Sequence, residues 1–197
     1  MSQSLLAATS VEIFLEPFPY FTATQALGHP LSSAFRQWLE AEAPWKLVQT
    51  DFYEQYEFCL FDTVLPPALQ FVTQRPFLGD LRTCVERIFN CSLGERIDCT
   101  AHKLVHGQRI RVHNDFIPGE ETHRVLIQLN RAWQESQGGF LMLFNSAEAS
   151  DVHRILAPVN DSAVGFQISE RSNHAVSAIH AGERFTLVFS FHAVARI

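Results

Sequence analysis

The sequence has no apolar run long enough to cross a membrane, no surplus of basic charge and too few cysteines for a covalent scaffold. A spanning helix needs roughly 18 or more consecutive apolar residues, and none occurs here, so no membrane segment is expected. Leu5, Leu6, Ala7 and Ala8 form the only apolar stretch near the N-terminus, too short for a signal sequence and lacking a basic start. Fifteen Lys and Arg against 21 Asp and Glu give a formal charge of −6, which argues against nucleic acid or anionic membrane as a partner. The four cysteines, Cys59, Cys84, Cys91 and Cys99, contain no Cys-x-x-Cys pair and fit no zinc-finger spacing. A reducing, cytoplasmic setting is therefore expected.

The 197 residues are 47% hydrophobic and include 17 Phe, enough for one sizeable core. A single domain over 1–197 is expected, with a helical and strand-containing buttress in 1–95 and a β unit in 96–193. In the first half, Val11, Ile13 and Leu15 suggest a short strand ending at Pro17. Leu31, Ala34, Phe35, Trp38 and Leu39 recur at helical spacing after Pro30. Pro66-Pro67 are expected to open a second helical segment to about Gln74, and Phe77, Leu81, Val85, Ile88 and Phe89 mark a third that stops near Asn90. Trp45, Phe52, Tyr53, Tyr56 and Phe58 read as core aromatics. From about Arg96 the apolar period changes to two, and eight short strands follow, separated by turn signals such as Gly107, Pro118-Gly119, Gly138-Gly139 and Ala181-Gly182. That pattern describes a sandwich or barrel rather than a parallel sheet with crossover helices.

Nine His are present, seven of them from His106 onward. Strand alternation in Arg109 to Asp115 places Arg109, Arg111, His113 and Asp115 on one face, with Ile110 and Val112 on the other. His113 and Asp115 can then reach one ion, and His174 offers a third ligand at the start of a later strand. Two imidazoles and a carboxylate form the facial triad suited to non-haem Fe(II). Taken alone, a His-x-Asp pair is equally a surface pair. The last strand adds a second signal, since Phe185, Leu187, Phe189 and Phe191 form one apolar face and Arg184 shares the opposite face with Thr186. An arginine on an inward face is costly unless an anion meets it, and a guanidinium suits a carboxylate.

His113-x-Asp115, His174 and Arg184 ten residues beyond it, followed by Thr186, resemble the pattern of the Fe(II)- and 2-oxoglutarate-dependent oxygenases, particularly the prolyl-hydroxylase-like branch. The segments Arg124 to Asn130, Gly138-Gly139-Phe140-Leu141, Ser172 to Val176 and Gly182 to Thr186 resemble that family's landmarks in the same order. The resemblance implies a double-stranded β-helix (jelly roll, cupin-like) core in a mainly β fold with flanking helices (α+β). It also implies that His113, Asp115 and His174 ligate Fe(II), while Arg184 and Thr186 hold the distal carboxylate of 2-oxoglutarate. Two departures stand out. Ala101 to Arg109 contains no tyrosine where many relatives place one against 2-oxoglutarate, and the clamp is Arg where many prolyl hydroxylases have Lys. Asp115 itself separates the chain from halogenases, which lack a carboxylate there.

The implied activity is hydroxylation of an aliphatic C–H in an amino acid, peptide or related metabolite, using O2 and releasing succinate and CO2, with ascorbate as a candidate reductant. Arg111, Gln128 and Asn130 are candidate substrate contacts, and Asn114 to Thr122 is long and polar enough for a lid. A non-catalytic jelly roll that binds metal and senses 2-oxoglutarate is the alternative, and a zinc hydrolase built on the same triad is a third reading.

Overall fold

The strands fall into two antiparallel sheets whose order departs from chain order, as a jelly roll requires. The computed structural model describes residues 11–194; the Leu5 to Ala8 stretch lies outside them. In chain order the elements are β1 (Val11–Phe14), β2 (Tyr20–Thr24), α1 (His29–Ala41), β3 (Lys46–Gln49), β4 (Glu54–Cys59), α2 (Arg75–Phe89), β5 (Leu93–Leu104) and β6 (Ile110–His113). There follow β7 (Glu121–Gln128), β8 (Leu141–Phe144), β9 (Val152–Leu156), β10 (Ser162–Gln167), β11 (His174–Val176) and β12 (Arg184–Ala193). The larger sheet has 8 strands in the order β1-β2-β10-β7-β12-β5-β4-β3, and the smaller has 4 in the order β6-β11-β8-β9.

The period-two pattern of β12 explains the layering. Phe185, Leu187, Phe189 and Phe191 all point away from the smaller sheet into a core shared with Phe35, Trp38 and Leu39 of α1 and Phe77, Leu81 and Val85 of α2. Each such side chain stabilises the fold by about 1.5–3 kcal/mol through burial. Val188, on the other face, joins Leu126, Leu141, Leu143, Val164 and Val176 in a second core between the two sheets. The chain is thus three layers deep, with helices, large sheet and small sheet in that order.

Both helices follow their sequence signals. Pro30 stands in the first turn of α1, and α2 ends on Asn90 in the left-handed conformation, φ 49°. The expected helix from Pro66 to Gln74 is instead a 3-10 turn at Gln70–Thr73. Consecutive prolines bias Pro66 away from helical geometry, and too few residues remain before α2 to nucleate a helix. The other departure is β2, β3 and β4, which complete the larger sheet on both flanks.

Candidate metal centre and adjoining cavity

His113 ends β6 and His174 begins β11, and the two are direct cross-strand partners. Their ring centroids are 4.2 Å apart. Asp115 lies just beyond β6 in a left-handed backbone conformation, φ 57°, which turns its carboxylate back toward both rings. One ligand atom from each of His113, Asp115 and His174 lies within 4.8 Å of the others. His113 Nε2 is 3.3 Å from Asp115 Oδ1, and His174 Nε2 is 3.1 Å from Asp115 Oδ2. Each imidazole donates its Nδ1–H to a carbonyl two residues back, His113 to Arg111 at 2.8 Å and His174 to Ser172 at 2.7 Å. These bonds fix the tautomer and leave both Nε2 lone pairs facing the carboxylate.

Burial lowers the His174 pKa and keeps the ring neutral, against the pull of Asp115. Burial alone would raise the Asp115 carboxyl, but His113, His174 and the Arg124 guanidinium overcome it and hold the group well below the usual carboxylate range. Arg124 on β7 pairs with Asp115 on one side and with Glu121 on the other. Arg124 belongs to no metal-binding or anion-binding motif in the sequence, and its one signal is its place two and four residues before Leu126 and Gln128 on one face of the strand.

The alternation expected for Arg109 to Asp115 breaks inside β6. His113 pairs with His174 but Ile110 pairs with Val176, so three steps on β6 match two on β11, a β-bulge. The bulge returns Ile110 to the cavity beside His113 and turns Arg111 outward. Arg111 is exposed and donates to the Asp51 carbonyl at 3.4 Å. It therefore does not share the ligand face.

A cavity of about 280 Å³ runs from the three ligands between the sheets, with Arg184, Thr186 and Val188 of β12 along one wall. Arg184 is 4% exposed, its Nε has no hydrogen-bond partner, and no carboxylate pairs with it among the described residues. Burial drops its pKa to about 10, which leaves it charged at neutral pH. Thr186 donates its hydroxyl to Gln128 Oε1 at 3.0 Å, and Asn130 Oδ1 accepts the Phe185 amide at 2.7 Å. Gln128 and Asn130 are fully buried and brace the start of β12; neither lines the cavity.

The wall formed by β12 continues across β5 to β4 and the residues just before it, a segment read as packing. Phe52, Tyr53, Gln55 and Glu57 line the cavity together with His102 of β5, whereas Trp45 and Phe58 do pack in the helix-side core. Phe52 lies against His113, centroids 4.8 Å apart. His102, in the strand that lacks a tyrosine, is held neutral by burial, its pKa pushed down to about 3. The loop after Asp115 is tied at its base, where Asn114 donates to the Glu170 carbonyl at 3.1 Å. Phe116 and Ile117 are exposed on it.

Residues 99–192, which run from β5 to β12, match the family model described as 2OG-Fe(II) oxygenase superfamily. No curated protein sequence matches the chain. Among solved structures, a prolyl-4-hydroxylase from Pseudomonas putida superposes with a TM-score of 0.72 at 21% identity, covering 89% of this chain and 92% of that one. A Trichoplax adhaerens prolyl hydroxylase, solved with a peptide fragment of the hypoxia inducible factor oxygen degradation domain, gives 0.66 at 17% identity, over 88% of this chain and 83% of that one. A viral collagen prolyl hydroxylase from Paramecium Bursaria Chlorella virus-1, solved as a 2OG complex, gives 0.65 at 12% identity, over 89% and 96%. At such identities the structural likeness speaks for the fold, the jelly roll that the resemblance implies. With the triad and the buried arginine all inside the matched stretch, the site-bearing part of the chain is similar to the 2OG-Fe(II) oxygenase superfamily.

Proposed function

We propose that the chain is an Fe(II)- and 2-oxoglutarate-dependent hydroxylase of an aliphatic C–H bond. In this reading His113, Asp115 and His174 hold the metal, and Arg184 with Thr186 holds the distal carboxylate of 2-oxoglutarate. The observation that carries it is the unpartnered Arg184. An uncompensated buried charge costs about 3–5 kcal/mol, so a guanidinium kept in that state is complementary to an anion that arrives with a ligand. A dicarboxylate fits, because one end can pair with the guanidinium in a bidentate bond while the other reaches the triad along the same cavity.

The triad suits the metal on chemical grounds. Two neutral imidazole nitrogens and one ionised carboxylate match the donor set of Fe(II) sites that keep positions open for other ligands. The iron, when bound, supplies the activation of O2 that is coupled to decarboxylation of 2-oxoglutarate to succinate and CO2. The protein's residues do the rest by placement. Arg124 keeps Asp115 ionised and oriented, and the Thr186 hydroxyl redirects its proton from Gln128 Oε1 to the distal carboxylate of 2-oxoglutarate. Leu126, Leu141, Val176 and Val188 line the passage between arginine and triad, where apolar walls strengthen the ionic contact by excluding water.

The substrate class, an amino acid, a peptide or a related metabolite, draws support from the peptide held by the Trichoplax relative and from the collagen named for the viral one. The segment 1–95 acts in this proposal as a buttress on 96–193 within one domain. The test is succinate release from 2-oxoglutarate with Fe(II), ascorbate and a panel of amino acids and short peptides, run beside Arg184→Ala. Turnover that disappears in the variant supports the hydroxylase. Metal and 2-oxoglutarate binding without succinate from any substrate would favour a sensor instead.

A further inference from the structure

We propose that the site takes a substrate bearing a cationic N–H group, an ammonium or a guanidinium, and that Glu57 and Gln55 on β4 receive it. This rests on the oxygenase reading above and adds the chemistry of the substrate. Tyr53, Gln55 and Glu57 reach the cavity at every second residue, Tyr53 through a bridge to Ile110 just before β4 begins. Gln55 is 2% exposed. Its Nε2 donates to Glu57 Oε2 at 2.8 Å and stands 3.3 Å from His102 Nδ1, but its Oε1 accepts from nothing. A buried carbonyl oxygen left in this way costs about 1–3 kcal/mol, and only a donor restores it.

Glu57 accepts the bond from Gln55 but has no cation beside it. Its side chain is three-quarters buried, and its nearest basic nitrogen is His102 Nε2 at 4.0 Å, on a ring that burial keeps neutral. Lys46 stands opposite Glu57 across the β3–β4 ladder yet forms no ion pair with it among the described residues. The cavity's two arginines are committed elsewhere, Arg124 to Asp115 and Glu121, and Arg184 to the co-substrate. A divalent metal and a dianionic co-substrate cancel one another. What remains on the substrate side is one carboxylate and one carbonyl oxygen, both acceptors.

A neutral imino-acid ring would leave both acceptors unsatisfied, and an anionic substrate would meet Glu57 directly. A cationic N–H group satisfies both at once, with charge-assisted bonds. Phe52, at the mouth beside His113, offers a ring face to the alkyl stem or to the cation itself.

The experiment is calorimetric titration of the full chain loaded with Mn(II) and 2-oxoglutarate. L-lysine is compared with norleucine and L-arginine with citrulline, each as the N-acetyl amide and within short blocked peptides, so that no α-ammonium is present in any of them. The cationic member of each pair should bind roughly ten-fold more tightly or better, the scale of a hydrogen bond to a charged group. In Glu57→Gln that ratio should fall toward one, and the single-residue and peptide arms show which size of substrate is taken. Equal affinities within each pair, including no binding by either, overturn the proposal, as does a ratio that survives in Glu57→Gln. A wild-type chain that binds neither Mn(II) nor 2-oxoglutarate overturns the oxygenase site on which the proposal stands.

Discussion

Gly139 lies directly against the stem of Arg184: a methyl group on its α-carbon would come within 3.1 Å of Arg184 Cδ and 2.6 Å of Ile179 Cδ1. Its φ of 69° is also one that residues with a Cβ rarely adopt. The Gly138-Gly139 turn is thus what lets the arginine run close under the start of β8. Gly139→Ala should displace Arg184 and strain the turn, at about 1–3 kcal/mol of stability. The 2-oxoglutarate KM should rise several-fold, with a smaller change in Mn(II) affinity, checked by succinate kinetics and metal titration.

Replacing the unpaired cation with an apolar side chain should separate stability from function. Arg184→Met removes a buried charge that no carboxylate among the described residues offsets, so the ligand-free variant should be more stable than wild type by about 1–3 kcal/mol. The wild-type chain should gain Tm on adding 2-oxoglutarate with Mn(II), and the variant should not. Thermal melts with and without the pair of ligands decide it.

Arg124 touches the carboxylate of the triad rather than the metal position. Arg124→Gln should weaken Mn(II) binding by roughly 10–100-fold, the usual scale for a partner of a metal ligand. Because Glu121 then faces the site without its cation, Arg124→Gln with Glu121→Gln should recover part of the loss. Equilibrium dialysis of the two variants against Mn(II) reads the difference.

Burial holds His102 near a pKa of about 3 and His123 near about 4, both below the ordinary imidazole value of 6.5. Between those values and about 6.5 the unfolded chain binds more protons than the folded one, so stability falls as pH falls through that window. The urea midpoint should therefore drop between about pH 7 and pH 4, and His123→Leu should flatten the slope. His123 sits against Phe89 on the helix side of the large sheet, away from the triad, which keeps the measurement clear of metal binding.

The sequence exposed the second half of the fold well because β5 and β7 to β12 alternate apolar and polar residues against a packed core. It exposed β3 and β4 poorly for the opposite reason. The residues β4 turns inward include Gln55 and Glu57, so the rule of apolar inside fails where a strand lines a polar cavity. His102 and Arg124 escaped notice on the same account. The spacing of His113, Asp115, His174 and Arg184 was legible, yet the geometric argument for it was only half right. A bulge in β6, unmarked by glycine, sets Ile110 beside His113 and sends Arg111 to the surface. Gln128 and Asn130, candidate substrate contacts on the sequence, instead brace Thr186 and Phe185 outside the cavity lining.

β12 pairs along most of its length with β5 on one side and β7 on the other, and its two faces serve different ends. The phenylalanines that grip the helices alternate with the arginine and threonine that face the cavity, so no hinge or loop separates the scaffold from the anion site. Loosening either helix should therefore be felt at Arg184 through a single strand. Heat inactivation and global unfolding are expected to coincide, with no stage at which the site melts while the scaffold stands.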